Sequence, residues 1–330
     1  MKLNLTAKII ALNLTTLVLV SGCLYAICEI KLEQWMSKQS NEELALAAAN
    51  VDTDMKALER KTAEIAAMLA SRPDVIQAVL ETNSAWLQNV GREALKQSGL
   101  GLVTIANRSG IVVARGHSTQ TGDSVLKQAN VRKALAGEVC SAIEEGTVVK
   151  FSVRTGCPIR RDNEVVGSIT VGADVSANNE FVDSIKAKFG VECTIFHQNT
   201  RASTTIEREG KRIVGSQMDN PAVVETVLKR GENFRQNNMI QGRDYATVYW
   251  PIRDLEKRVT GMLFIGKDRT HIHQIKSNML RSMFAIILGV GAILALLSFM
   301  LARSLGKRVD AVTNTLTHGS EQVAAAAGQV

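Results

Sequence analysis

Two stretches of this chain, residues 9–28 and 282–302, carry no charged side chain, and each matches the ~20 residues a helix needs to cross a ~30 Å hydrocarbon core. They predict two membrane-spanning helices and argue against an ordinary cytosolic globular fold. Lys2 and Lys8 precede the first stretch and Glu29 follows it; Arg303, Lys307 and Arg308 follow the second. Basic residues on both outer flanks predict that residues 1–8 and 303–330 are cytoplasmic and that 29–281 lie across the membrane. With 24 Gly and only 4 Pro, collagen-like and low-complexity classes are excluded.

A competing reading attaches to Val20-Ser21-Gly22-Cys23, which has the form of a bacterial lipoprotein cleavage box and would make residues 1–22 a removable leader. Apolar sequence continues to Cys28 and a second span follows, which favours a spanning helix. From Glu29 to Arg72 there is neither Gly nor Pro. Leu44, Ala48, Val51, Met55, Leu58, Thr62, Ile65 and Leu69 recur there at spacings of 4 and 3, a heptad seam on a stalk helix that Pro73 ends. The seam fits two partners equally, a second chain in a homodimer or the protein's own domain.

Past residue 100 short apolar runs are punctuated by Gly. Leu102–Ile105 and Ile111–Ala114 form a hairpin about Asn107-Arg108-Ser109-Gly110; residues 124–135 read as helix; residues 147–153 and 165–171 read as strands. The order then recurs, with helix at 181–189, strands at 193–196 and 202–206, helix from Pro221 to Arg230, and strands at 243–250 and 260–265. Two similar modules in series, of α+β class, fit the length.

The strand ends Val166-Gly167-Ser168-Ile169-Thr170-Val171-Gly172 and Thr260-Gly261-Met262-Leu263-Phe264-Ile265-Gly266, behind a long stalk helix, resemble the Cache sensor domains of bacterial receptors. The first module, with Ala114-Arg115-Gly116-His117, Lys150-Phe151-Ser152-Val153-Arg154 and Pro158-Ile159, is similar to the citrate- and dicarboxylate-sensing type. The second, with Arg201, Thr204-Thr205, Gly242-Arg243-Asp244-Tyr245 and Tyr249-Trp250-Pro251-Ile252, is similar to the Cache module often fused behind it. The resemblance implies two PAS-like antiparallel-sheet modules, at 99–178 (membrane-distal) and 179–270 (membrane-proximal), after stalk and connecting helices at 29–98. A juxtamembrane helix is expected at 271–281. Beyond the second span Val309, Val312, Leu316, Gly319, Val323, Ala326 and Val330 continue a coiled-coil spacing, and Glu321-Gln322-Val323 onward resembles the entry to the signalling helix of methyl-accepting chemotaxis proteins. The adaptor module usual there, and the long signalling hairpin, do not follow, so the chain reads as truncated before its signalling domain.

On strands, Arg115 and His117 share one face, as do Lys150, Ser152 and Arg154. If the faces converge they make an anion site for a carboxylate; the same alternation also fits a solvated polar face. Arg201, Thr205, Tyr245 and Tyr249 form a candidate second site by the same reasoning. Cys140 and Cys157 bracket a hairpin and are a candidate disulfide, which leaves Cys193 over. His271 and His273 diverge on a helix, so no metal pair is expected. No phosphate-binding Gly loop, nucleophile elbow or kinase signature is present, and basic charge forms no stripe despite a net charge of +7. The expectation is therefore a non-enzyme without cofactor and without nucleic-acid binding. It is a homodimeric receptor in membrane lipid that binds a small anionic ligand such as an organic acid and signals to a chemotaxis histidine kinase and coupling protein. The alternatives are the same sensor on a histidine kinase or cyclic-dinucleotide enzyme, and a membrane-anchored binding protein without output.

Overall fold

The computed structural model describes residues 5–145, 149, 151–175 and 179–327. Lys150 and the expected strand start at 147–148 lie outside the described residues, as do the side chains of His271 and His273. The elements run α1 (Leu5–Ala70), α2 (Pro73–Leu80), α3 (Ser84–Ser98), β1 (Leu102–Asn107), β2 (Val112–Arg115), α4 (Ala129–Leu135), β3 (Cys140–Glu145), β4 (Phe151–Arg161) and β5 (Glu164–Asp174). They continue with α5 (Glu180–Phe189), β6 (Glu192–His197), β7 (Thr200–Thr204), the short pair β8 (Glu207–Arg208) and β9 (Lys211–Arg212), α6 (Pro221–Val223) with a π-helical turn Val224–Lys229, β10 (Phe234–Ile240), β11 (Arg243–Arg253), β12 (Val259–Asp268) and α7 (Thr270–Ala327).

Arg72 is extended (φ −72°, ψ 125°), as the residue before a proline must be, so α1 stops and Pro73 opens α2 in its first turn. The chain divides into two compact units, Met1–Gln39 with His271–Val330, and Ser40–Thr270. In the first, α1 and α7 meet through the edge-to-face pair Tyr25–Phe284 (6.4 Å) and a hydrogen bond from Lys276 Nζ to Glu33 (2.8 Å). Both helices are long and apolar enough to cross a membrane, and their apolar windows have no residue buried inside the protein. Val18, Leu19, Leu24, Ile286, Leu288 and Ile293 are all exposed, far more contiguous apolar surface than water tolerates.

The second unit holds two five-stranded antiparallel sheets of matching connectivity, β2-β1-β5-β4-β3 and β10-β11-β12-β6-β7. Each is a strand pair, a helix and three more strands, and a long N-terminal helix precedes them. The third strand of each set departs from the sequence reading. β3 and β10 are strands where none was expected, and α4 begins at Ala129 rather than 124, because the preceding segment runs back along the sheet with Val125 N donating to Gly110 O (2.9 Å).

The heptad seam is spent within the chain. Leu44, Val51 and Met55 are buried with Phe151, Val153, Ile195, Val248 and Leu263 in a core that both sheets share, and Leu69 is buried with Val103, Ile159 and Ile169 against the first sheet. Thr62 joins Thr155 through their hydroxyls (2.7 Å), and Trp250 Nε1 donates to Asp52 (3.1 Å). Of the two partners open to the seam, the protein's own sheets take it. All five cysteines are free. Cys140 lies opposite Gly156 in the ladder, so Cys157, one residue on, points through the other face. A Cys140–Cys157 bridge is thereby excluded.

Candidate functional site

The register of the first sheet decides which side chains meet. Thr104 faces Arg115 on one side and Thr170 on the other; Gly172 faces Arg154; Ser152 faces Asp174 and Glu144. Residues directly opposite share a face. Arg115, Ser152 and Arg154 therefore stand on one side of the sheet with Thr170 and Glu144, while Val103, Val153, Ile159 and Val171 pack on the other. α4 lies over the polar side. Asn130 Nδ2 donates to Thr170 Oγ1 (3.0 Å), and Asn130 Oδ1 and Ser168 Oγ are buried without a partner among the described residues.

Of the five residues expected in this site, the structure gives each described one a distinct role. Arg115, 2% exposed, is gripped by Asp123 through two bonds of 2.7 and 2.8 Å and donates also to Gln120 O (2.7 Å). Its guanidinium thus ties down the loop at residues 120–123. The guanidinium holds the Asp123 carboxyl below the usual carboxylate range. Arg154, 4% exposed, is held differently, with Glu144 and Asp174 acting on it through their fields. Its Nε donates to Ser152 Oγ (2.7 Å), Nη1 to Gln128 Oε1 (3.0 Å) and Nη2 to Val149 O, all neutral oxygens. Burial pushes its pKa down to about 10, so it remains a cation at neutral pH.

His117 Nδ1 rests against the Val103 peptide, 3.3 Å from its N and 3.1 Å from its O. Burial, then the fields of Arg115 and Arg154, hold its pKa below the ordinary 6.5. The unfolded chain therefore takes up a proton more readily. Stability tied to this ring is present above pH 6.5 and lost as pH falls through the depressed folded value. Thermal melts of the protein between pH 7.5 and 5 should show that decline, and His117→Asn should flatten it; an unchanged slope would remove His117 as its source.

Glu144 ties the site to the second module. It is buried, burial raises its pKa, and its Oε1 accepts from Leu255 N (3.0 Å) in the β11–β12 turn. A cavity of about 500 Å³ lies beside this contact, with Gln128, Glu144, Asp254 and Arg258 in its wall. Sequence reasoning missed Gln128 and Asn130, which it placed within a helix running from 124. Their positions depend on where α4 begins, and no local pattern fixes that.

In the second module only part of the candidate site converges. Arg201 and Tyr249 line a cavity of about 320 Å³. Thr205 is occupied elsewhere, its hydroxyl accepting from Cys193 N (2.9 Å) and donating to Glu192. Tyr245 is buried beside Gly266, opposite Asn238 and Asp268 in the ladder, and does not line that cavity.

Residues 173–279 match the family model described as single cache domain 3. That segment spans α5 through β12 and the first turns of α7. Solved structures similar to the chain include the sensor domain of Escherichia coli DcuS (21% identity, TM-score 0.36, covering 39% of this chain and 97% of that one). Others are the sensor domain of the Vibrio cholerae histidine kinase DctB (10%, 0.47, 71% and 98%) and the ligand-binding domain of the Campylobacter jejuni chemoreceptor Tlp3 in complex with L-valine (12%, 0.47, 73% and 95%). No curated protein matches the chain. Residues 173–279 thus match a Cache-type domain, in a chain with two candidate membrane helices.

Proposed function

We propose that this protein is a homodimeric transmembrane chemoreceptor, not an enzyme. Its first module would bind a small anionic metabolite of organic-acid type, and it would signal to a cytoplasmic chemotaxis kinase complex. The observation that carries the ligand reading is Arg154. A buried guanidinium whose own hydrogen bonds go to neutral oxygens, in the field of Glu144 and Asp174, carries a desolvation cost that a carboxylate arriving beside it would further offset. Ser152 and His117 flank it, and Lys150 belongs to the same reading. The uncovered apolar windows of α1 and α7, with basic residues outside each, support two spans with both ends cytoplasmic. Since the heptad seam is used internally, a homodimer would form through the exposed side of α1, where Leu46 and Met68 lie.

Ligand binding would then favour one of two arrangements, because it can shift an equilibrium only by unequal affinity for the two states. The contact from Glu144 to Leu255 gives a short route from the Arg154 face to the strands that lead into α7.

Thermal melts of the full chain in detergent with citrate, malate and succinate test this reading. At 100 times its dissociation constant a true ligand should add ~2.7 kcal/mol of stability. Arg154→Gln should abolish the shift. A shift that survives this change, or no shift with any of the three acids, would refute the anion site in the first module.

A further inference from the structure

Glu144 stands where the Arg154 face meets the second module. In the ladder it lies opposite Ser152, whose Oγ accepts from Arg154 Nε at 2.7 Å, and it is therefore the diagonal neighbour of Arg154 on the same face. Diagonal neighbours on a sheet are within reach of long side chains. Glu144 is 6% exposed, and its hydrogen bond among the described residues runs the other way, Oε1 accepting from Leu255 N (3.0 Å). A buried acid is thus placed between the proposed ligand cation and a backbone donor of the β11–β12 turn.

The acids around it are engaged locally. Asp254 accepts from Glu256 N and Arg258 N (2.9 Å each) and from Arg258 Nε (2.7 Å), and Glu145 meets His197 Nε2 at 2.5 Å. Asp174 of β5 lies across from Ser152 and acts on Arg154 through its field. Glu144 has no cation bonded to it among the described residues, and Arg154 and Arg258 reach it only through their fields. Burial raises its pKa most and Asp254 adds to the rise, whereas the Leu255 N–H and the two arginines oppose it. Exposed Lys127 and Arg258 share the wall of the cavity of about 500 Å³ with Glu144, so solvent protons have a way in.

Resting on the reading of Arg154 as the anchor of a carboxylate, we infer that acid binding is coupled to protonation of Glu144, and that the bond from Leu255 slackens as the charge is lost. An anion seated on Arg154 offsets the field that keeps Glu144 ionised and adds a like charge on the same face. A proton from solvent then settles on Oε2. A hydrogen bond to a carboxylate is roughly twice as strong as one to a neutral acceptor, so Leu255 is held less firmly. The arrival of the acid becomes a change of charge at the junction of the modules. By reciprocity the acid binds more tightly as pH falls.

The test is calorimetric titration of the full chain in detergent with malate and succinate at pH 6.5 and 8, each in two buffers of different ionisation enthalpy. The parent should take up a net fraction of a proton per acid bound, and its affinity should rise toward pH 6.5. Glu144→Gln, which keeps an acceptor for Leu255 N, should lower that uptake. It should also bind the acid at pH 8 roughly three- to thirtyfold more tightly than the parent, the effect of removing one partly screened like charge. Any proton the acid itself gains is common to both proteins and cancels in the comparison. His117 also feels Arg154, so His117→Asn should remove its own share and leave the share of Glu144. Equal uptake by the parent and Glu144→Gln overturns the inference while the anion site stands, and so does uptake that vanishes entirely in His117→Asn. Failure of both acids to bind the parent removes the anion site itself, and the coupling with it. If Glu144→Gln fails to fold, hydrogen exchange of the Leu255 amide in the parent decides. It should quicken at pH 6.5 when the acid is bound, and an amide equally or better protected overturns the inference.

Discussion

Alanine at position 156 should destabilise the first module by about 3 kcal/mol or more, the upper range for forcing extra volume into a packed interior. A Cβ built on Gly156 would stand 2.2 Å from Asn130 O and 2.8 Å from Asn130 C, both backbone atoms of α4. Neither can rotate away. The helix would have to lift from the sheet, and the Asn130–Thr170 bond across the closed face would go with it. Because Gln128 immediately precedes the same helix and accepts from Arg154, the displacement should reach the proposed anion site as well. Chemical denaturation of the Gly156→Ala protein, followed by titration with the acid that stabilises the parent, measures both effects. Wild-type stability would show that α4 does not sit where the fold places it.

Phe151→Ala should be as severe, at ~3–5 kcal/mol for emptying a buried aromatic site. Phe151 opens β4 of the first sheet, yet it touches the second: its ring lies 5.2 Å from that of His197, and its Cζ would be 3.3 Å from a Cβ on Gly261. It is 1% exposed in the core built from α1 and both sheets. Emptying this position removes contacts on both sides at once, so the loss should appear as uncoupling and not only as lower stability. Melting followed by tryptophan emission and by hydrogen exchange should coincide in the parent protein and separate in Phe151→Ala. Coincident curves in the variant would mean that the modules are coupled elsewhere.

Much of this architecture is legible in the sequence because its signals are local. Charge-free windows, a stalk without Gly or Pro, and strand runs between Gly-rich turns each depend only on neighbours along the chain. The missed strands are those whose identity comes from partners. β3 (Cys140–Glu145) ends in two acids, and it is a strand because β4 offers it a ladder and Glu144 finds Leu255 N. β10 (Phe234–Ile240) carries Arg235, Gln236, Asn237 and Asn238 and is largely exposed, so as an edge strand it shows none of the apolar alternation that marks β11. β4 passes through Gly156 and Pro158, residues that argue against a strand. Pro158 is accommodated because it lies beyond the Cys140–Gly156 pairing, where β4 no longer has β3 beside it.

The candidate site was legible in its residue types and less so in their roles. Arg115 and Arg154 look alike in the sequence. Asp123, eight residues from Arg115, neutralises one and leaves the other, and only the path of the intervening loop decides which. The face shared by Ser152 and Arg154 followed from period-two alternation, whereas Thr205 and Tyr245 show the limit of that rule. Thr205 is claimed by Glu192 and Cys193, and Tyr245 lies four residues too early along β11 to reach the cavity that Tyr249 lines.

The core common to both sheets also defines what evolution or an engineer can move as a piece. Ile143, Phe151 and Val153 from the first sheet, Val248 and Leu263 from the second, and Val51 and Met55 from the stalk form one apolar body. A graft of the second module alone would carry a raw apolar scar and leave another behind. A chimera built from this protein should therefore be joined at Ser40 and Thr270, the limits of the compact unit, so that both sheets and the lower stalk change hands together.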